Sequence, residues 1–218
     1  MTRSALVIAP HGLDEALGCG GTMARHADEG DRVHVLILFG DGSGRDAARR
    51  ANAQKAAPLL GAQPPRFAGF PENRSDTVPL VEIVGAIERC VGEINPGIVY
   101  VSHGGNLNVD HQTGFRAALT ALRPVPGSGV QAVYAYEVLS STDWAPAGIR
   151  EPFRPTRFVG IAAQLDRKMK ALESYGDEMR PAPHARSVTN ARRLAELRGA
   201  TAGMAAAEAF EIVREICF

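Results

Sequence analysis

Two stretches hold the residues best suited to chemistry. In APHGLDEALGCGGT (9–22), His11 is followed by Asp14 and Glu15; in SHGGNLNVDH (102–111), His103 leads to Asp110 and His111. Two imidazoles and one carboxylate, His11, Asp14 and His111, would leave coordination positions open to water and substrate, as in catalytic zinc sites. The same set suits non-haem iron, so zinc, iron and other divalent ions all stay open. His-x-x-Asp alone is a weak signal, because a lone histidine at a strand end is more often a surface or capping residue. Glycines 18, 20 and 21 fit neither the G-x-G-x-x-G nor the G-x-x-x-x-G-K-[ST] spacing, so a nucleotide loop is not supported.

The elements around these residues can bring them together. ALVIA (5–9), VHVLILF (33–39) and GIVYVS (97–102) are apolar runs of the length of buried parallel strands. Residues 14–29 read as a helix closed by Gly30, 45–60 as a helix ended by Gly61, and 78–94 and 111–122 as two more. Further strands are expected near 132–138 and 157–161, and helices over 162–179, 187–199 and 204–216. The alternation predicts an α/β fold, Rossmann-like, with a mostly parallel sheet and helices on both faces. Ligands in such folds sit outside the carboxyl ends of the strands, where His11, Asp41-Gly42 and His103 all fall. The segment 142–155 is a long irregular excursion of the kind that covers sites.

Composition narrows the partners. With 218 residues the chain is expected to form one domain, 1–218. Lys+Arg and Asp+Glu balance at 24 each, which argues against nucleic acid or an anionic membrane and for a small-molecule partner. Three scattered cysteines, Cys19, Cys90 and Cys217, make no disulfide framework and fit a reducing compartment. The opening MTRSALVIAP is too short in apolar length for a signal peptide, and no run approaches a membrane helix, so a cytoplasmic location is expected. A homo-oligomer is admitted but not required.

Taken in order, APHGLDEALGCGGT, GFPENRSD (69–76), SHGGNLNVDH and PHARS (183–187) resemble the PIG-L/LmbE-like family of metal-dependent N-deacetylases over almost the whole chain. The resemblance implies a Rossmann-like sheet, usually zinc, and removal of an N-acyl group, usually acetyl, from an amino sugar. It assigns His11, Asp14 and His111 as metal ligands, Asn108 to the developing oxyanion, and Asp110 to orienting the site. Arg74 resembles the family's substrate-binding arginine region, where a guanidinium fork suits hydroxyls or phosphate, with a surface turn around Pro71 as the alternative; Asn73 and His103 are further candidates to bind substrate. The family's P-H-P-D-D-E places its general base where this chain has Leu13, and the D-L-N-x-D-H of one branch begins here with Asn106.

Leu13 cannot take a proton. General acid–base help is worth about 10²–10⁴-fold, or roughly 3–5 kcal/mol of barrier. Glu15 could substitute, or His184 or His103 through water, since an imidazole titrates near neutrality. Otherwise hydrolysis rests mainly on the metal, or the chain is a non-catalytic metal- or sugar-binding member of the same fold. For the remaining positions, Cys19 reads as packing among glycines, His26 and His34 as structural, and Trp144 as a buried residue with sugar stacking as the alternative. Asp41-Gly42-Ser43-Gly44 reads as a tight turn that could also line a sugar pocket.

Overall fold

A computed structural model of the protein describes residues 3–40, 42–146, 148 and 150–217. Asp41, expected at a turn beside the site, lies outside the described residues. The strands are β1 (Ser4–Ala9), β2 (Arg32–Phe39), β3 (Arg66–Phe70), β4 (Ile98–Ser102), β5 (Ala132–Tyr136), β6 (Arg157–Gly160) and β7 (Ala207–Glu215). The helices are α1 (Asp14–Asp28), α2 (Gly44–Leu59), α3 (Leu80–Ile94), α4 (Val109–Ala121), α5 (Leu165–Glu173) and α6 (Val188–Thr201).

The seven strands form one sheet in the order β3-β2-β1-β4-β5-β7-β6. Strands β1 to β5 run parallel, and β7 pairs antiparallel with β5 and β6. Both faces are covered, as a parallel sheet requires. Val7 and Ala9 pack on one face with Leu17, Ala53, Met169 and Ala195, from α1, α2, α5 and α6; Leu6 and Ile8 pack on the other with Ile83 and Ala117, from α3 and α4. The chain leaves β1 towards β2 on one side and towards β4 on the other, so the carboxyl ends of β1 and β4 flank the reversal of strand order, where such sheets bind ligands.

The structure departs from the expected elements in three places. Residues 204–216, expected to be helical from their Ala and Glu content, are mostly strand β7. Helix propensity is a weak prior, and pairing on both sides, with Ala207, Ala209 and Phe210 buried, overrides it. Strand β3 was not anticipated; it is a short edge strand after Pro64-Pro65, without the long apolar run that marks β1 and β2. The helix expected over 162–179 is also shorter, ending at Glu173 before a 3₁₀ turn at Gly176–Glu178.

The glycines of GCGG serve packing. A Cβ at Gly18 would lie 2.1 Å from the Tyr136 ring, and one at Gly21 would lie 2.5 Å from the Ile161 side chain. Tyr136 thereby reaches past α1 to donate its hydroxyl to the Ile8 carbonyl at 3.0 Å. Farther along the same face, Lys168 and Glu208 form a buried ion pair at 2.6 Å. Lys168 also donates to the Leu17 carbonyl, while Glu208 accepts from the amides of Gly21 and Thr22.

Candidate functional site

The chain turns sharply after β1, and Leu13, with φ 103°, bends it into α1. That turn sets the Asp14 carboxylate against the His11 backbone N–H at 3.0 Å. Asp14 Oδ2 lies 3.5 Å from His11 Nδ1 and 3.3 Å from His111 Nε2. One ligand atom from each of these three residues falls within 4.8 Å of the others.

The outer nitrogens of both imidazoles are also held. His11 Nε2 donates to Asp110 Oδ2 at 2.7 Å, which leaves Nδ1 free for a metal. His111 Nδ1 lies 2.9 Å from the Asn106 side-chain nitrogen, and the Asn106 oxygen accepts from the Thr142 hydroxyl at 2.6 Å. Ligation through His111 Nε2 requires the proton on Nδ1, and hence the amide turned over, its oxygen accepting from His111 and its nitrogen donating to the Thr142 hydroxyl. The donor set and its supports therefore fit a divalent ion.

Electrostatics agree with a cation between these groups. Burial pushes the His11 imidazole down, but hydrogen bonds to Asp110 and Asp14 outweigh it and raise its pKa to about 9. Burial pushes Asp14 up, yet the two imidazoles hold it well below the usual carboxylate range.

Asp110 is fully buried and ties three segments together. Besides His11 it accepts from the backbone amides of Asn73 at 2.6 Å and Ser75 at 3.2 Å. Asn108 caps α4 by accepting from the Asp110 amide at 2.7 Å, and its Nδ2 donates to Asn73 Oδ1 at 3.0 Å. Asn73 reaches this position with φ 54°, a left-handed conformation that asparagine tolerates.

His11, Asp14, His111, Asn73 and Asn108 line one cavity of about 360 Å³. Other expected residues are not brought into its wall. Glu15 is buried, accepting from the Leu13 amide at 3.0 Å and from the Tyr175 hydroxyl; burial, only partly offset by those bonds, lifts its pKa to about 7. Arg74 is exposed and only its carbonyl is used, by Thr77. His103 is held away from these groups, its Nδ1 2.7 Å from Glu211 and its Nε2 2.9 Å from the Glu151 carbonyl; burial pushes its pKa down, but those two bonds outweigh it and raise it above the ordinary imidazole value. It lines a separate cavity with Arg116, Arg150 and Arg154. His184 accepts from the Arg186 amide at 3.0 Å and packs in a T-shaped contact with Trp144 in an adjoining depression.

Trp144, expected to be buried, is 51% exposed and lines the cavity that holds His11, Asp14 and His111. Leu13 is 2% exposed, belongs to the apolar cluster under α1, and does not line that cavity. Cys19 is buried and His26 is held by Asp31 and Tyr100, consistent with packing and structural roles.

Sequence reasoning missed much of the cavity wall beyond His11, Asp14 and His111. Arg49 is nearly buried between Glu72, at 2.6 Å, and Glu178, at 3.2 Å, and Arg45 shares Glu178 at 3.0 Å. Arg45 and Arg49 are one helical turn apart on α2, the only local signal of a shared face. Ser141, and Arg186 from the PHARS turn, also line this cavity.

A family model described as GlcNAc-PI de-N-acetylase, PIG-L, matches residues 6–122, and the chain belongs to this family. Among its relatives, a probable N-acetyl-α-D-glucosaminyl L-malate deacetylase 2 from Bacillus cereus is 25% identical over 191 residues, 80% of this chain and 83% of the relative. A 4-oxalmesaconate hydratase from Pseudomonas putida is 28% identical over 200 residues, 78% of this chain and 72% of the relative. The N,N'-diacetylchitobiose deacetylase of Pyrococcus horikoshii shares the fold, with a TM-score of 0.77, 18% identity, and coverage of 97% of this chain and 84% of that one.

Proposed function

We propose that the protein is a metal-dependent amide hydrolase that removes an N-acyl group, acetyl foremost, from an amino sugar or sugar conjugate. The observation that carries this is the convergence of His11, Asp14 and His111, with Asp110 behind His11, at the wall of a cavity of ligand size. Zinc is the ion proposed, with iron as the alternative. When bound, such an ion acidifies water towards neutrality and polarises a carbonyl.

The chain's own residues supply the rest. Asp14 and the two imidazoles hold the ion, and Asp110 keeps the His11 proton on Nε2, away from the reacting side. The Asn108 amide is the donor proposed for the oxygen that gains charge, and Trp144 offers an exposed aromatic face to a sugar ring. With Leu13 in the apolar cluster and Glu15 tied to Tyr175, the described residues present no free carboxylate base beside the ligands. Hydrolysis then rests mainly on the metal's effect on water and is slow relative to a family member with an acid at position 13.

A second reading is addition of water to a carbon–carbon double bond of an unsaturated acid. Leu13 favours it, together with the similarity to a hydratase, because the base expected for amide cleavage is missing. The experiment is amine release from a panel of N-acetylated amino sugars and their conjugates by zinc-loaded protein, beside His111→Ala. Release lost in the variant supports the hydrolase. Absence of release from every amide, with loss of absorbance from an unsaturated dicarboxylate, supports the hydratase; silence in both assays supports a binding protein.

A further inference from the structure

The metal cavity has a concentration of polar groups that lack protein partners. Six buried side-chain atoms among the described residues have no hydrogen-bond partner, and three of them, Arg49 Nε, Ser141 Oγ and Arg186 Nε, belong to residues lining this one cavity. A buried polar group left unpaired costs about 1–3 kcal/mol, so such a cluster calls for a ligand that pairs with it.

Charge says which ligand. Arg45 and Arg49 are neutralised by Glu72 and Glu178. Arg186 is only partly exposed, and among the described residues its guanidinium makes no hydrogen bond or ion pair. A half-buried cation without a counter-ion is costly unless something anionic arrives. The guanidinium fork matches a carboxylate or a phosphate, and a serine hydroxyl can donate a further hydrogen bond to either.

We propose that Arg186 and Ser141 form an anion subsite that takes a carboxylate or phosphate group carried by the substrate. The inference rests on the reading of this cavity as a substrate site and deepens it: the acylated compound is an acidic conjugate, not a neutral sugar. One molecule can reach both ends, because Arg186 and the metal ligands share a cavity of about 360 Å³.

The test is calorimetric titration of the zinc-loaded protein with inorganic phosphate, succinate and N-acetylglucosamine, repeated with Arg186→Gln, Arg186→Lys and Ser141→Ala, with thermal melting to confirm folding. The expected result is that one anion binds the parent and is weakened by about tenfold or more in Arg186→Gln, as loss of a charged hydrogen bond implies. Ser141→Ala should lose less, and N-acetylglucosamine should bind all forms alike. Which anion responds distinguishes a phosphate from a carboxylate conjugate. Should Arg186→Gln not fold, Arg186→Lys and Ser141→Ala decide, both weakening the anion. Anion binding that is absent from the parent, or equal in the parent and the folded variants, overturns the subsite. Acetate release assayed in parallel separates the two ideas: release without an Arg186 effect leaves the hydrolase and removes the subsite, whereas an Arg186 effect without release does the reverse.

Discussion

His11 Nε2 stands 2.7 Å from Asp110 Oδ2, and this one bond decides which face of the imidazole is available to a metal. It fixes the proton on the far nitrogen and presents Nδ1 to Asp14. Asp110→Asn should therefore weaken zinc binding by about 10–100-fold, the usual cost of losing such a support. Competition against a chromogenic chelator measures this, and an unchanged affinity would mean that Asp110 serves only to join the loop at Asn73 to α4.

His111 has the weaker support, an amide at 2.9 Å. Asn106→Asp would place a carboxylate there and raise the basicity of the ligand, tightening zinc by up to about tenfold. The metal-free variant should melt lower than the parent, because the added charge is buried, and gain more on adding zinc. A zinc-induced rise in Tm no larger than the parent's would contradict this account of Asn106.

Restoring an acid at position 13 is the obvious repair, and the structure predicts that it fails. Leu13 sits in an apolar cluster with Glu15 hydrogen-bonded to its amide. Burying a carboxylate there should cost about 3 kcal/mol, or roughly 6–12 °C in Tm for a chain of this size, with no gain in amine release. A Leu13→Asp protein that melts like the parent and turns over faster would show that the side chain can turn into the cavity.

Glu178 gives the arginine wall a pH dependence. Burial pushes its carboxyl up, but hydrogen bonds from Arg45 and Arg49 bring its pKa down to about 2, from an ordinary 4.5. A depressed carboxyl adds stability that is complete above its unfolded pKa and is lost as pH falls towards its folded one. Glu178→Gln should thus be less stable than the parent by about 3 kcal/mol at pH 7, with the gap closing between pH 4.5 and 2. Urea unfolding across that range checks it; a gap that stays constant with pH would assign the loss to packing instead.

Local signals account for what was readable beforehand. The apolar runs of β1, β2 and β4, and the glycines after α1 and α2, placed those elements within a residue or two. The same strand ends put His11 and His111 on one side of the sheet. Strand β7 was unreadable because its identity comes from β5 and β6, which lie far away in sequence. Arg49, Ser141 and Glu178 sit on separate elements outside the four motifs, and Arg186, though within PHARS, reads there as part of a structural turn, so only the assembled fold shows that they face one cavity. Trp144 was misjudged because an irregular segment carries no periodicity from which to infer burial.

The ion pair of Lys168 and Glu208 has a consequence for how the molecule opens. Leu17 and Gly21 are four residues apart, the spacing at which a helix bonds to itself, yet the carbonyl of one is bonded by a side chain from α5 and the amide of the other by a side chain from β7. Helix α1 therefore cannot fray in its middle without breaking contacts to the last strand of the sheet. The amides of Gly21 and Thr22 should exchange with deuterium only as slowly as the whole domain unfolds, making the helix that carries Asp14 and the final strand a single cooperative unit.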